Sequence, residues 1–217
     1  MIAILLITIF TSALVIVLFS SSGRAVNNGV LDTLGADLMT EKPTDYPIAT
    51  FAGGCFWCIE SEFRALNGVL HTQSGYIGGN TQSPTYNDIT TGQTGHAEAI
   101  EITFDPDKIS FEQLAEYFLT KAHDPTQINR QGVDIGTQYR SEIFYHNDEQ
   151  KRISQSLIVQ INEKKTYNSP IATKITAAST FWAAEDYHQQ YYEKYEKTKG
   201  KVHPRVSYKK KLKKLKQ

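Results

Sequence analysis

The sequence predicts an α+β domain, a two-layer α/β sandwich on a mixed or antiparallel sheet. Two observations carry that expectation: short apolar or alternating runs recur between segments of helical spacing, and the links between them are of hairpin length, as a sandwich rather than a barrel requires. A chain of 217 residues that is 40% apolar and 21% charged can bury a full core, which excludes disorder as its overall class.

Residues 1–22 open the chain with an apolar segment whose first 19 residues carry no charge, close to the roughly 20 needed to cross a bilayer. This reads as a signal peptide or membrane anchor. Arg24 follows the run and Gly23-Arg24-Ala25 makes a poor cleavage site, so an exported chain with an uncleaved anchor is the expectation. Residues 23–45 are small and polar, a linker, and the folded domain is placed at 46–198.

Within it, the apolar run 47–52 reads as a strand ending at Gly53-Gly54. The spacing of Phe56, Ile59, Phe63 and Leu66 predicts a helix over 55–66. Residues 67–95, rich in Gly, Ser, Thr, Asn and Tyr, read as a long functional loop. Alternation over 97–104 predicts a strand, and Ser110 with Gln113 forms a capping box opening a helix through Leu119. A strand over 139–146 follows, then a helix capped by Asn147 and running to about Lys165 with Ile153, Leu157, Ile158 and Ile161 on one stripe. A strand over 172–179 and a helix over 183–197 complete the set, whose core is expected to be ferredoxin-like.

The zero net charge conceals an asymmetry. Residues 199–217 hold nine Lys or Arg and no acid, against 14 basic and 23 acidic residues before them. This basic C-terminal tail reads as solvated, with acidic lipid or the acidic body of the domain as contacts it suits, and no nucleic-acid role is expected.

The chain's two cysteines, Cys55 and Cys58, enclose Phe56 and Trp57. Placed in the first turn of a helix, Cys55 would be stabilised as a thiolate by free N–H groups and the helix dipole. Cys58, three residues on, shares its helix face. A structural disulfide would close too small a ring to constrain the unfolded chain much. Zinc needs four ligands, and the histidines lack paired spacing, so no metal is expected. A thioredoxin-like redox pair remains open on spacing alone.

GGCFWCIESEF, SGYIGG, PTYNDI, GHAEAIEI, GTQYRS and AEDYHQQYY, in this order over residues 46–197, resemble the A-type peptide methionine sulfoxide reductases. The resemblance implies reduction of methionine S-sulfoxide, free or in oxidised proteins, with Cys55 as nucleophile and Glu98 as general acid. A carboxyl group shielded by aromatics would have the raised pKa that such an acid needs. Glu98 is also the lone acid on the more apolar face of its strand, with Ile100 and Ile102. Tyr86 and Tyr139 match hydroxyls that bond the sulfoxide oxygen, and Phe56 and Trp57 a pocket for the S-methyl. Asp134 matches a carboxylate near the substrate; Gly54, with Gly53, lets the backbone come close to the reacting atoms. Glu185, Asp186 and His188 match the last helix, in substrate contact or support. The basic tail carries no cysteine, so Cys58 is the expected resolving thiol, recycled by an external thioredoxin-like or dithiol donor. No organic cofactor is implied, and the domain is expected to act as a monomer.

Overall fold

The computed structural model describes residues 43–205. The apolar segment 1–22, most of the linker and the tail beyond 205 lie outside the described residues. No helix among the described residues is long and apolar enough to cross a membrane.

In chain order the elements are β1 (Ile48–Gly53), α1 (Phe56–Arg64), β2 (Val69–Ile77), α2 (Tyr86–Thr90), β3 (Ala97–Phe104) and α3 (Phe111–Tyr117), which runs into a π-helical turn at Phe118–Ala122. The hairpin strands β4 (Arg130–Gln131) and β5 (Asp134–Ile135), a 3-10 turn at Thr137–Tyr139, β6 (Ser141–Tyr145) and α4 (Asp148–Glu163) follow. The chain continues through β7 (Lys174–Ala177), β8 (Trp182–Ala183), a 3-10 turn at Asp186–His188 and α5 (Tyr191–Lys199).

The main sheet has the order β7-β6-β1-β3-β2-β8, antiparallel except for the parallel pair β6–β7. Its four central strands with α1 and α3 follow the βαββαβ order of the expected ferredoxin-like core. One face carries Ala49, Phe51, Ile100 and Ile102 against Phe56, Ile59 and Phe63 of α1, Phe111 and Leu114 of α3, and Leu157 and Ile161 of α4. The other face holds the smaller cluster of Ala52, Ile77, Ala97, Ala99 and Phe144, covered by Ala178 and Phe181. Both expected N-caps form: Ser110 accepts from the Gln113 N–H, and Asn147 from the Gln150 N–H.

Three expectations need correction. Residues 67–95 are not one loop, because β2 pairs with β3 along almost its whole length. The strand lacks an alternating pattern because its polar residues face chain rather than solvent: Thr72 bonds Glu60, the Ser74 backbone bonds the Gln189 side chain, and at Gly75 the Trp182 carbonyl stands where a Cβ would be. The strand expected at 139–146 begins at Ser141, which leaves Tyr139 on the preceding 3-10 turn. The helix expected over 183–197 starts only at Tyr191, because Gln190 sits in the left-handed region at φ 47° and breaks it from the turn before.

Candidate functional site

The site forms where β1 ends. Gly54, at φ +98°, turns the chain into α1, and a Cβ there would lie 2.6 Å from that of Gln131. The absent side chain therefore lets the β4–β5 hairpin, which carries Asp134, close against the loop before Cys55. Gly54 acts by making room.

Cys55 is the N-cap residue of α1, 7% exposed, and Cys58 lies one turn on at 8%. The expectation of a thiolate at rest is overturned. The first N–H of the helix, that of Phe56, donates to Glu98 Oε2 at 3.0 Å instead of serving sulfur. A hydrogen bond with Cys58, then burial, then the negative charges of Cys58 and Glu98 hold the Cys55 thiol well above its ordinary range, with Arg205 pulling the other way. Neither cysteine is in a disulfide among the described residues, and Cys58 Sγ lies 3.0 Å from the Tyr192 hydroxyl.

Glu98, on β3 beneath the start of α1, is 2% exposed. Burial pushes its carboxyl up to about 8, against the opposing bond from Phe56 N–H, so it is protonated at neutral pH. Tyr86, the first residue of α2, and Tyr139 face the same place. Burial and then Glu98 push the Tyr86 phenol up to about 12 and raise that of Tyr139 as well. Neither hydroxyl is held by a hydrogen bond among the described residues.

Phe56 is 1% exposed, with its ring parallel to that of Tyr86 at 6.4 Å. Trp57 presents more surface: its ring stacks on Tyr191 at 3.8 Å, and its Nε1–H donates to His188 Nδ1 at 3.0 Å. That bond assigns the neutral tautomer with the proton on Nε2, and burial lowers the pKa of His188 accordingly. Glu185 ties two parts together, accepting from the Tyr76 hydroxyl and the Tyr86 N–H, both at 2.9 Å. Asp186 supports the last helix through its carbonyl, which accepts from Lys194 Nζ. No group of three or more metal-ligating side chains occurs among the described residues.

Cys55, Glu98, Tyr86, Tyr139, Phe56 and Trp57 thus converge from β3, α1, α2 and the turn before β6, with Cys58 behind Cys55 and Asp134 at the rim. The family model described as peptide methionine sulfoxide reductase matches residues 47–217. This chain belongs to the peptide methionine sulfoxide reductase family. A reductase of this family from Acidobacterium capsulatum is 54% identical over 146 residues, 67% of this chain and 93% of the relative. One from Methanothermobacter thermautotrophicus is 50% identical over 149 residues, 69% and 88% of the two chains. Among solved structures, reduced Mxr1 of Saccharomyces cerevisiae matches 70% of this chain and 87% of its own at 33% identity with a TM-score of 0.65. Methionine sulfoxide reductase A of Corynebacterium diphtheriae matches 70% and 76% at 33% identity with a TM-score of 0.61. As a peptide methionine sulfoxide reductase the protein is an oxidoreductase.

The sequence did not single out Tyr192, His203, Arg205 or Glu60. The first three reach the site from the chain's other end, and Glu60 lies within α1 itself. The sequence signal for Tyr192, His203 and Arg205 is the density of aromatic and ionisable residues after 185; Glu60 has none.

Proposed function

We propose that the enzyme reduces the S-epimer of methionine sulfoxide, free or in oxidised proteins, with Cys55 as nucleophile and Cys58 as the thiol that resolves it. The observation that supports this most is a carboxyl group protonated at neutral pH, Glu98, bonded to the N–H of the residue after the nucleophile. A proton donor beside a thiol is what removal of a sulfoxide oxygen requires and what thiol–disulfide exchange does not.

Cys55 sulfur attacks the sulfoxide sulfur while Glu98 protonates the departing oxygen, which the Tyr86 and Tyr139 hydroxyls also bind. The substrate's sulfur–oxygen bond breaks, the oxygen ends on Cys55, and the proton lost by Cys55 restores Glu98. One thiol and one sulfoxide become one sulfenic acid and one thioether. Phe56 and Trp57 hold the S-methyl group. Cys58 then attacks the Cys55 sulfur, water leaves, and a disulfide forms. A thioredoxin-like dithiol reduces it and becomes a disulfide itself. No metal or organic cofactor enters any step, and the protein works as a monomer.

NADPH-coupled reduction of a methyl sulfoxide, run beside insulin reduction, tests this. Wild type turns over the sulfoxide preferentially, Cys55→Ser abolishes turnover, and Cys58→Ser completes one cycle without recycling by thioredoxin. Sulfoxide turnover in Cys55→Ser, or sustained thioredoxin-driven turnover in Cys58→Ser, would overturn the corresponding role.

A further inference from the structure

The proposed reaction leaves the segment after α5 without a task. Gly200, at φ 63°, caps that helix and reverses the chain. The His203 ring then stacks on Tyr192 at 4.8 Å and 26° and meets Tyr195 edge-on at 4.7 Å. Its Nδ1 accepts the Arg205 N–H at 3.2 Å. Arg205 Nη2 in turn donates to Asp134 Oδ1 at 2.5 Å, with the side chains 34% and 21% exposed. Tyr192 meets Cys58, and the hairpin bearing Asp134 closes on Gly54. A continuous set of contacts, from Cys58 through Tyr192, His203 and Arg205 to Asp134, therefore bounds the thiol pair on its C-terminal side.

We propose that the chain as far as Arg205 is part of the reaction site. Arg205 is a positioning residue that holds Asp134 and fixes a positive charge beside the thiols, offsetting the Asp134 charge where Cys55 must lose its proton. This deepens the proposed function and rests on Cys55 being its nucleophile.

The groups acting on Cys55 come from every side of it: Cys58 on α1, Glu98 on β3, Tyr86 on α2, Tyr139 on the 3-10 turn, Tyr192 on α5, and Arg205. Arg205 draws down the pKa values of Cys55, Glu98, Tyr86 and Tyr192, whereas Asp134 raises those of Glu98 and Tyr139. An exposed Arg–Asp pair would count for little in water. This one is part-buried and shares its surroundings with thiols that are less than a tenth exposed, so screening is weaker. Removing Arg205 has two effects of the same sign: a positive charge is lost and Asp134 is left uncompensated. Both favour the protonated thiol.

The test is the pH dependence of Cys55 alkylation by iodoacetamide, in the full chain carrying Cys58→Ser so that one thiol reports. Arg205→Ala is expected to move the profile to higher pH and lower the rate at pH 8 about tenfold. Arg205→Lys keeps the charge and stays within about threefold, and adding Asp134→Asn to Arg205→Ala recovers part of the loss. Arg205→Gln is a second neutral variant, in case the alanine protein folds poorly by circular dichroism. A profile for Arg205→Gln or Arg205→Ala that superimposes on the parent's overturns the proposal. Sulfoxide turnover of wild type is measured alongside: its absence would sink the underlying function, whereas turnover with an unmoved alkylation profile would sink only the role of Arg205.

Discussion

Two carboxyl groups meet helix α1, and they are engaged in different ways. Glu98 comes up from β3 and accepts one hydrogen bond among the described residues, from the Phe56 N–H. Glu60 lies on α1 itself and accepts from the Thr72 hydroxyl at 3.1 Å and the Gln190 N–H at 2.8 Å, with the Arg64 charge nearby. Both are almost fully buried, at 2% and 1% exposure, and in both burial is the largest cause of the raised pKa, to about 8 and about 7. A shifted pKa therefore does not separate a reacting acid from a structural one. Unspent bonding capacity does: Glu98 Oε1 accepts no hydrogen bond among the described residues, as the proposed acid requires, whereas both Glu60 oxygens are committed to joining α1 to β2 and to the strained residue before α5.

The two residues are expected to respond differently to substitution. Glu98→Gln keeps an acceptor for the Phe56 N–H but cannot deliver a carboxyl proton, so kcat for sulfoxide reduction should fall by about a hundredfold or more. Glu60→Gln should leave kcat within a few-fold of wild type. A Glu60→Gln protein as inactive as Glu98→Gln would mean that Glu60 takes part in the proton traffic.

The two carboxyls also differed in how visible they were before folding. Glu98 could be read because strand alternation put one acid among isoleucines, and Cys55 because a Gly-Gly turn preceded it. Glu60 could not, since every hydrogen bond that defines it comes from 12 to 130 residues away in sequence. The same holds for β2. Its Ser, Thr and Gly look like a loop until the C-terminal segment is laid across them and takes up their backbone groups. The protonation of Cys55 is hidden from the sequence for a related reason. The helix end that should have stabilised a thiolate is occupied by a carboxyl from another strand, and no local pattern records that.

A second measurement separates the carboxyls by their effect on stability. The ordinary value for Glu60 is 4.5 and its folded value about 7, so between these the folded state binds the extra proton. Its contribution is fully present below about pH 4.5 and lost as pH rises through about 7. The difference in unfolding free energy between wild type and Glu60→Gln, from urea titrations at pH 4.5 and pH 8, should fall by about 3 kcal/mol on going to the higher pH. Activity at fixed pH should hardly notice. A difference that stays flat would mean that Glu60 is not carrying a proton in the folded state.

The smallest expected effect probes the partner instead of the acid. The Thr72 hydroxyl donates to Glu60 and accepts from Arg64 Nη1 at 3.3 Å, so Thr72→Val removes both bonds while nearly preserving shape. The Arg64 bond is lost alike at both pH values; at pH 5 Glu60 is protonated and its share of the loss is that of a bond between neutral groups, about 1 kcal/mol. At pH 8 the carboxyl is ionised and buried, the missing donor leaves a charge less well satisfied, and the cost rises to about 2 kcal/mol. Because Thr72 lowers the Glu60 pKa in wild type, its removal also carries the pH-dependent loss of stability to higher pH. Urea unfolding of Thr72→Val at both pH values checks the sign. A penalty larger at pH 5 than at pH 8 would contradict the assignment of Glu60 as a carboxyl whose ionised form depends on this hydroxyl.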